Sequence, residues 1–243
     1  GSTAGKVTVG TVVGGTTAVA AKAGVLGVAN GVVSIVDSNT TGTIKTITVD
    51  GYANGSRIGA GNAGGEATDT TSLETLNLSN SGLGYTGAKV TSVAGITVDD
   101  TAATLALNLE KVGFSAYYNG DAVTTTVDAA VTLTAAPTTL NVKSTGNNYV
   151  DLTANATTTL NVSGTGVFKA DLAGTPTLTT IKVTETAGLT LGGVGAAGSL
   201  TSVDTTGTTG TVTVSIEANK ATYAGGAGVD KVTVGNTAVT KAI

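Results

Sequence analysis

No cysteine, methionine, tryptophan or histidine occurs anywhere in the chain. Disulfides, thiolate metal sites, imidazole bases and histidine ligands are therefore all excluded. Arginine occurs once, at Arg57, which leaves phosphate recognition almost unequipped. Charged residues make up 12%, against about 25% in an ordinary globular chain. The net charge is −4 and the pI about 4.7, so the basic footprint of a nucleic-acid binder is missing. Scattered Thr, Gly and charges interrupt every apolar stretch, whereas a spanning helix needs roughly 20 continuous apolar residues. No basic segment followed by an apolar run opens the chain, and Gly1-Ser2 reads as a cloning scar. Residues 3–243 are read as one domain cut from a longer chain.

What is present points to strands. Thr fills about a fifth of the positions, and hydrophobic residues, mostly Val, Ala, Leu and Ile, fill 40%. Thr and Val are β-branched and stiff at χ1, which favours extended backbone. The chain also repeats a phrase. "ETLNLSNSG", "TTLNVKSTG", "TTLNVSGTG" and "TTIKVTETAG" align on Leu76, Leu140, Leu160 and Ile181, and Ile96 and Val203 extend the series. Steps between neighbours are about 20–22 residues, apart from one double step between Ile96 and Leu140.

Within the phrase, Leu160 and Val162 alternate with Asn161 and Ser163, a period of two that sends Leu and Val to one face. Glycine-marked corners lead into second strands at 149–154, 167–174, 188–193 and 211–216. A unit of two or three short strands cannot bury its own apolar face, but stacked coils share a continuous core. The expectation is an all-β fold, a β-solenoid (parallel β-helix) of about 20–22-residue coils. About 11 coils at roughly 4.8 Å each would make a rod about 50 Å long. A pair of β-sandwiches is the alternative, since regular turn spacing suits it too. Helical patterns are confined to two short candidates, at 17–30 and 215–223.

One motif carries sharp chemistry. "GGAGVDKVT", Gly225–Thr233, matches G-G-x-G-x-D-x-U-x at every fixed position, with Asp230 as the acid and Val232 as the apolar residue. That pattern holds calcium through carboxylates and glycine-loop carbonyls. Gly226, Gly228 and Asp230 are the candidate metal residues there, and a glycine turn before the strand "DKVTVG" is the plain alternative. Asp99 and Asp100, after the strand "GITV", are the second cation candidate. Asp50, Asp121 and Asp151 also follow or enter strands, where Asp ordinarily caps a turn.

Other features read as structural. Asn141 and Asn161 sit one repeat apart and can form a side-chain ladder. "AYYNG" (116–120), with Phe114 beside it, is the one aromatic cluster and suits core filling or a protein contact. Two carboxylates can hydrolyse a glycosidic bond, but these acids are scattered and no aromatic stripe exists to hold sugar rings. The chain is therefore read as a non-enzyme. Residues 38–72 are the longest irregular candidate for a contact loop, and deleting them should spare folding if that loop protrudes.

Taken together, "TSLETLNLSNSG", "PTTLNVKSTGNNYVDLTANATTTLNVSGTG" and "GGAGVDKVTVG" resemble bacterial surface-layer proteins exported by type I secretion, of the kind that carry repeats-in-toxin nonapeptides, as in Campylobacter and Caulobacter. The resemblance implies an extracellular, calcium-binding subunit that self-associates into a protective lattice on the cell surface. It implies contact with cell-surface polysaccharide only through regions that nothing here matches, and neither membrane insertion nor a nucleic-acid partner. A large secreted adhesin, displaying a ligand face on its solenoid, is the second reading.

Overall fold

The computed structural model describes residues 5–9, 32–35, 44–59, 73–81, 83–86, 89–99, 101–113, 117–119, 122–124, 128–192, 199–235 and 240–243. Of these, 5–9, 83–86, 89–92, 117–119 and 122–124 are described by backbone alone.

The chain winds back and forth between two nine-stranded sheets in which every neighbouring pair is parallel. The first sheet holds, in spatial order, β1 (Gly5–Val9), β3 (Ile44–Asp50), β5 (Thr75–Ser81), β9 (Thr104–Val112), β13 (Thr139–Thr145), β15 (Thr159–Gly164), β17 (Thr180–Glu185), β19 (Ser202–Thr208) and β21 (Thr222–Ala224). The second holds β2 (Ser34–Ile35), β4 (Ser56–Ile58), β8 (Gly95–Val98), β12 (Ala129–Leu133), β14 (Asn148–Ala154), β16 (Val167–Gly174), β18 (Gly188–Gly192), β20 (Val212–Ile216) and β22 (Asp230–Val234). Each rung therefore contributes one strand to each sheet, as in a two-sheeted solenoid. β-Sandwiches pair their strands antiparallel, so the parallel ladders exclude that alternative. The described residues make nine rungs, which at about 4.8 Å between neighbours is a stack of about 40 Å, against the roughly 11 coils and about 50 Å expected.

The alternation in the repeated phrase is what turns the sheets inward. In β13 and β15, Leu140, Val142, Leu160 and Val162 are buried, while Thr139, Asn141, Thr159 and Asn161 face outward. Like residues stack on like: Leu105, Leu140, Leu160, Ile181, Val203 and Tyr223 lie in one register column. Ile47, Leu76, Leu107, Val142, Val162 and Val183 form the next. Full burial of such a side chain stabilises by about 1.5–3 kcal/mol, and no rung could obtain it alone. The core runs from Val33 to Tyr223 as a single cluster.

Register steps are 20, 21, 22 and 20 residues along Leu140, Leu160, Ile181, Val203 and Tyr223. Toward the N-terminus they lengthen to 35 (Leu105 to Leu140), 31 (Leu76 to Leu107) and 29 (Ile47 to Leu76). One coil length of 20–22 residues thus does not run through the whole chain. Two antiparallel hairpins account for part of the excess: β6 (Leu83–Thr86) with β7 (Lys89–Val93), and β10 (Tyr117–Asn119) with β11 (Ala122–Thr124). Both leave the rod where the chain passes from the first sheet to the second.

Three expectations change. Ile96 does not belong with Leu76 and Leu140; it lies in the second sheet, paired with Val131. Residues 38–72 are not a removable loop, because β3 and β4 are within them and Ile47, Val49, Tyr52 and Ile58 are core residues. Of the short helical candidates, 217–221 is a turn after β20, and 17–30 lies outside the described residues.

Corners close under tight constraints. Gly164 takes φ 112°, and a Cβ there would lie 2.2 Å from the Ser144 carbonyl oxygen one rung below. Only glycine satisfies both conditions. Buried polar side chains fill the space behind the corners. Asn148 is the clearest: its Oδ1 accepts the Val112 N–H at 2.9 Å, and its Nδ2 donates to Ser144 Oγ at 2.8 Å and toward the Leu109 carbonyl at 3.3 Å.

Candidate functional site

The glycine loop between β21 and β22 brings Gly226, Gly228 and Asp230 together. It lies flush on the corresponding loop of the rung below, Thr205–Gly210. A Cβ on Gly226 would stand 2.1 Å from the Thr205 carbonyl oxygen and 2.6 Å from that of Thr208, and one on Gly228 would stand 2.0 Å from that of Gly210. The Ala227 N–H donates to the Thr208 carbonyl at 3.3 Å. These glycines are needed for close approach, whatever else the loop does.

Asp230 opens β22 opposite Val212. Its Oδ1 is buried and has no hydrogen-bond partner among the described residues. Beside it stands the Tyr223 hydroxyl, 3.0 Å from Thr205 Oγ1. Burial pushes the Tyr223 phenol up to about 12, the Thr205 hydroxyl pulls it down, and the Asp230 carboxylate pushes it up again.

A hard cation asks for six to eight oxygens. The Thr205, Thr208 and Gly210 carbonyls are covered by the glycine loop above them, which leaves the buried Asp230 Oδ1 as the oxygen there without a partner among the described residues. In the rung below, Val212 stands in register where a second nonapeptide would place its acid. Among the described residues no group of three or more acidic side chains is gathered to hold an ion. The loop supplies a single carboxylate toward the six to eight oxygens such a cation asks for.

Asp99 is elsewhere, at the end of β8, and is occupied. Its Oδ2 accepts from Arg57 Nε at 2.7 Å and its Oδ1 from Thr134 Oγ1. Asp99 thus joins the rungs of β4 and β12 to its own, through the chain's one arginine and Thr134. Asp100 and Asp121 lie outside the described residues. Asp50 accepts from Ser79 Oγ at 2.8 Å, a contact between rungs.

A charged patch on the outer face of the second sheet was not singled out from the sequence. Asp151 and Asp171 face each other in register on β14 and β16. Lys169 instead pairs with Asp128 at 3.1 Å and lies 5.6 Å from the Tyr149 ring centre. Burial, then Asp171, then Asp128 raise the Asp151 carboxyl above its ordinary range. The signal was available, since "VDL" and "ADL" put the two acids 20 residues apart, at matching places of the repeat.

The abundance of Thr and Asn has its explanation on the first sheet and its corner. Thr158, Thr179, Thr201 and Thr222 each donate a hydroxyl to the backbone carbonyl of the threonine one rung below, at 3.2, 3.0, 3.1 and 3.4 Å. Asn161 donates to Asn141 at 2.8 Å, Asn108 to Asn77 at 2.7 Å, and Asn77 to Thr48 at 2.9 Å. Side chains thereby duplicate the ladder that the backbone already makes. In "AYYNG", Tyr117, Tyr118 and Asn119 form β10, while Phe114, Ala116 and Gly120 lie outside the described residues.

Comparison with protein-family models, with curated proteins and with solved structures finds no match. Among the described residues no helix is long and apolar enough to cross a membrane. The fold itself defines an all-β, solenoid-like repeat architecture, of a kind that suits a structural protein.

Proposed function

We propose that this chain is a structural rod of a bacterial surface layer, a solenoid segment that self-associates into a protective extracellular lattice with calcium. The observation that supports this reading is the double ladder. Two nine-stranded parallel sheets share one core, and rows of Thr and Asn hydrogen-bond rung to rung outside it. Such stacking resists local opening, because a strand cannot leave without exposing the core faces of two neighbours. Lys and Arg total 12 in 243 residues, so tryptic sites are sparse as well. A coat requires that kind of durability more than it requires a reactive site.

Calcium enters this reading at the loop of Gly226, Gly228 and Asp230, where the unpartnered Asp230 Oδ1 is the group a cation would satisfy. The test is particle size by light scattering during a calcium titration, with magnesium as control and a chelator for reversal. Calcium-specific, reversible growth that Asp230→Ala abolishes is the expected result. A rod that keeps its size and its β-sheet circular dichroism throughout would sink the assembly reading and favour the adhesin.

A further inference from the structure

We infer that Asn54-Gly55 is a site of spontaneous covalent modification, at which Asn54 loses its side-chain amide through attack by the Gly55 backbone nitrogen. The pair forms the turn between β3 and β4, and both residues are exposed. Gly55 has φ 86°, and nothing lies within 4 Å of where its Cβ would be, so the approach to its nitrogen is open. The turn's hydrogen bond runs from the Ser56 N–H to the Ala53 carbonyl at 3.3 Å and leaves the Gly55 N–H unbonded among the described residues.

Several other asparagines are protected in ways Asn54 is not, while Asn30-Gly31 and Asn119-Gly120 are further Asn-Gly pairs whose side chains lie outside the described residues. The amide nitrogens of Asn77, Asn108, Asn148 and Asn161 are each held by a neighbouring rung or corner. Asn155 and Asn219 are exposed, but Ala156 and Lys220 follow them, and a Cβ shields the attacking nitrogen. The Asn54 carboxamide makes no hydrogen bond among the described residues; its oxygen rests against Gly95 of the next rung, 2.7 Å from where a Cβ on Gly95 would be.

The chemistry balances with water as the only co-reactant. The Gly55 nitrogen gives up its proton to solvent and bonds to Asn54 Cγ, the Cγ–Nδ2 bond breaks, and Nδ2 leaves as ammonia after taking a proton back. The product is a five-membered cyclic imide. Water then opens the ring at Cγ, giving an aspartyl residue, or at the backbone carbonyl, giving an isoaspartyl residue whose main chain runs through Cγ. Either product takes the net charge from −4 to one unit more negative. The isoaspartyl form also lengthens a corner that holds Ser56, whose Oγ accepts the Val33 N–H at 3.1 Å and donates to the Ala53 carbonyl at 2.8 Å.

The experiment incubates the folded chain at neutral and mildly alkaline pH and follows intact mass, then maps the products with a fragmentation method that separates aspartyl from isoaspartyl. The same chain in urea is run in parallel. Expected is a first-order gain at position 54, faster at higher pH, that outpaces Asn155 and disappears in Asn54→Gln, a variant whose β-sheet signal stays native. If position 54 stays intact in the folded chain while it reacts in urea, or is no faster than Asn155, the corner does not present the reactive geometry and the inference falls.

Discussion

Replacing Asn148 by leucine tests whether the polar corners hold the rungs in register. Asn148 is fully buried, as is Val112, whose N–H it accepts at 2.9 Å across the rungs of β9 and β14. Leucine has the same branched outline with bulkier methyl groups, so no cavity arises and any overpacking adds to the loss. The Val112 N–H is left in the interior without a partner, at about 1–3 kcal/mol, and the bonds donated by Nδ2 add about 1 kcal/mol net. The expected loss is about 2–4 kcal/mol. Asn148→Asp keeps the acceptor but sets a charge against the Leu109, Thr145 and Gly146 carbonyls, so it should be worse at neutral pH and recover on acidification. Urea unfolding followed by circular dichroism gives the global loss. A stacked array can open piecewise, so amide exchange at Val112 is the local measurement. Each 1.4 kcal/mol is about tenfold in an equilibrium constant, and exchange there should accelerate by at least about tenfold. A leucine variant with wild-type midpoint and wild-type Val112 exchange would refute the clamp.

Tyr52 predicts a change of the opposite sign. Its ring is fully buried and its hydroxyl has no partner among the described residues, so Tyr52→Phe should stabilise by about 1–2 kcal/mol in urea unfolding; a loss of stability would mean the hydroxyl is satisfied. Lys111 holds φ 57° without being glycine, and Lys111→Gly should gain about 0.5–1 kcal/mol after the cost of a freer unfolded chain. No gain would show that this corner is not strained. Asp151 carries the pH prediction. Its carboxyl is raised by burial, Asp171 and Asp128, so the folded state holds its proton more tightly than the unfolded state. Its ionisation therefore opposes folding at neutral pH, and stability recovers as pH falls through the raised folded value toward the ordinary carboxyl value of about 3.9. Asp151→Asn should raise the neutral-pH urea midpoint and flatten that slope, and an unchanged profile would count against the Asp151–Asp171 repulsion.

Much of the architecture was legible in the chain. The TTLNV phrase, with its period of two and its recurrence, determines which residues face inward and that one copy must lie on the next, because no single copy can bury its own apolar face. Second strands at 149–154 and 167–174 were readable for the same reason. The nonapeptide announced a glycine loop ending in an acid, which the rod places between β21 and β22. What only the tertiary structure decided is where long-range register had to choose. Ile96 carries the same local pattern as Leu76, and nothing local shows that it stacks on Val131 in the other sheet. Irregular residues 38–72 hide two core strands, since β3 and β4 gain their stability from neighbouring rungs and not from their own sequence. Asp99 looked open to a cation until the rod put Arg57, 42 residues earlier, against it. Asp230 is the converse case: its residue type suggested a ligand, but only packing against the rung below buried one of its oxygens without a donor. Local alternation sets the face of each strand, whereas partner, charge compensation and burial depend on which distant rung arrives next to it.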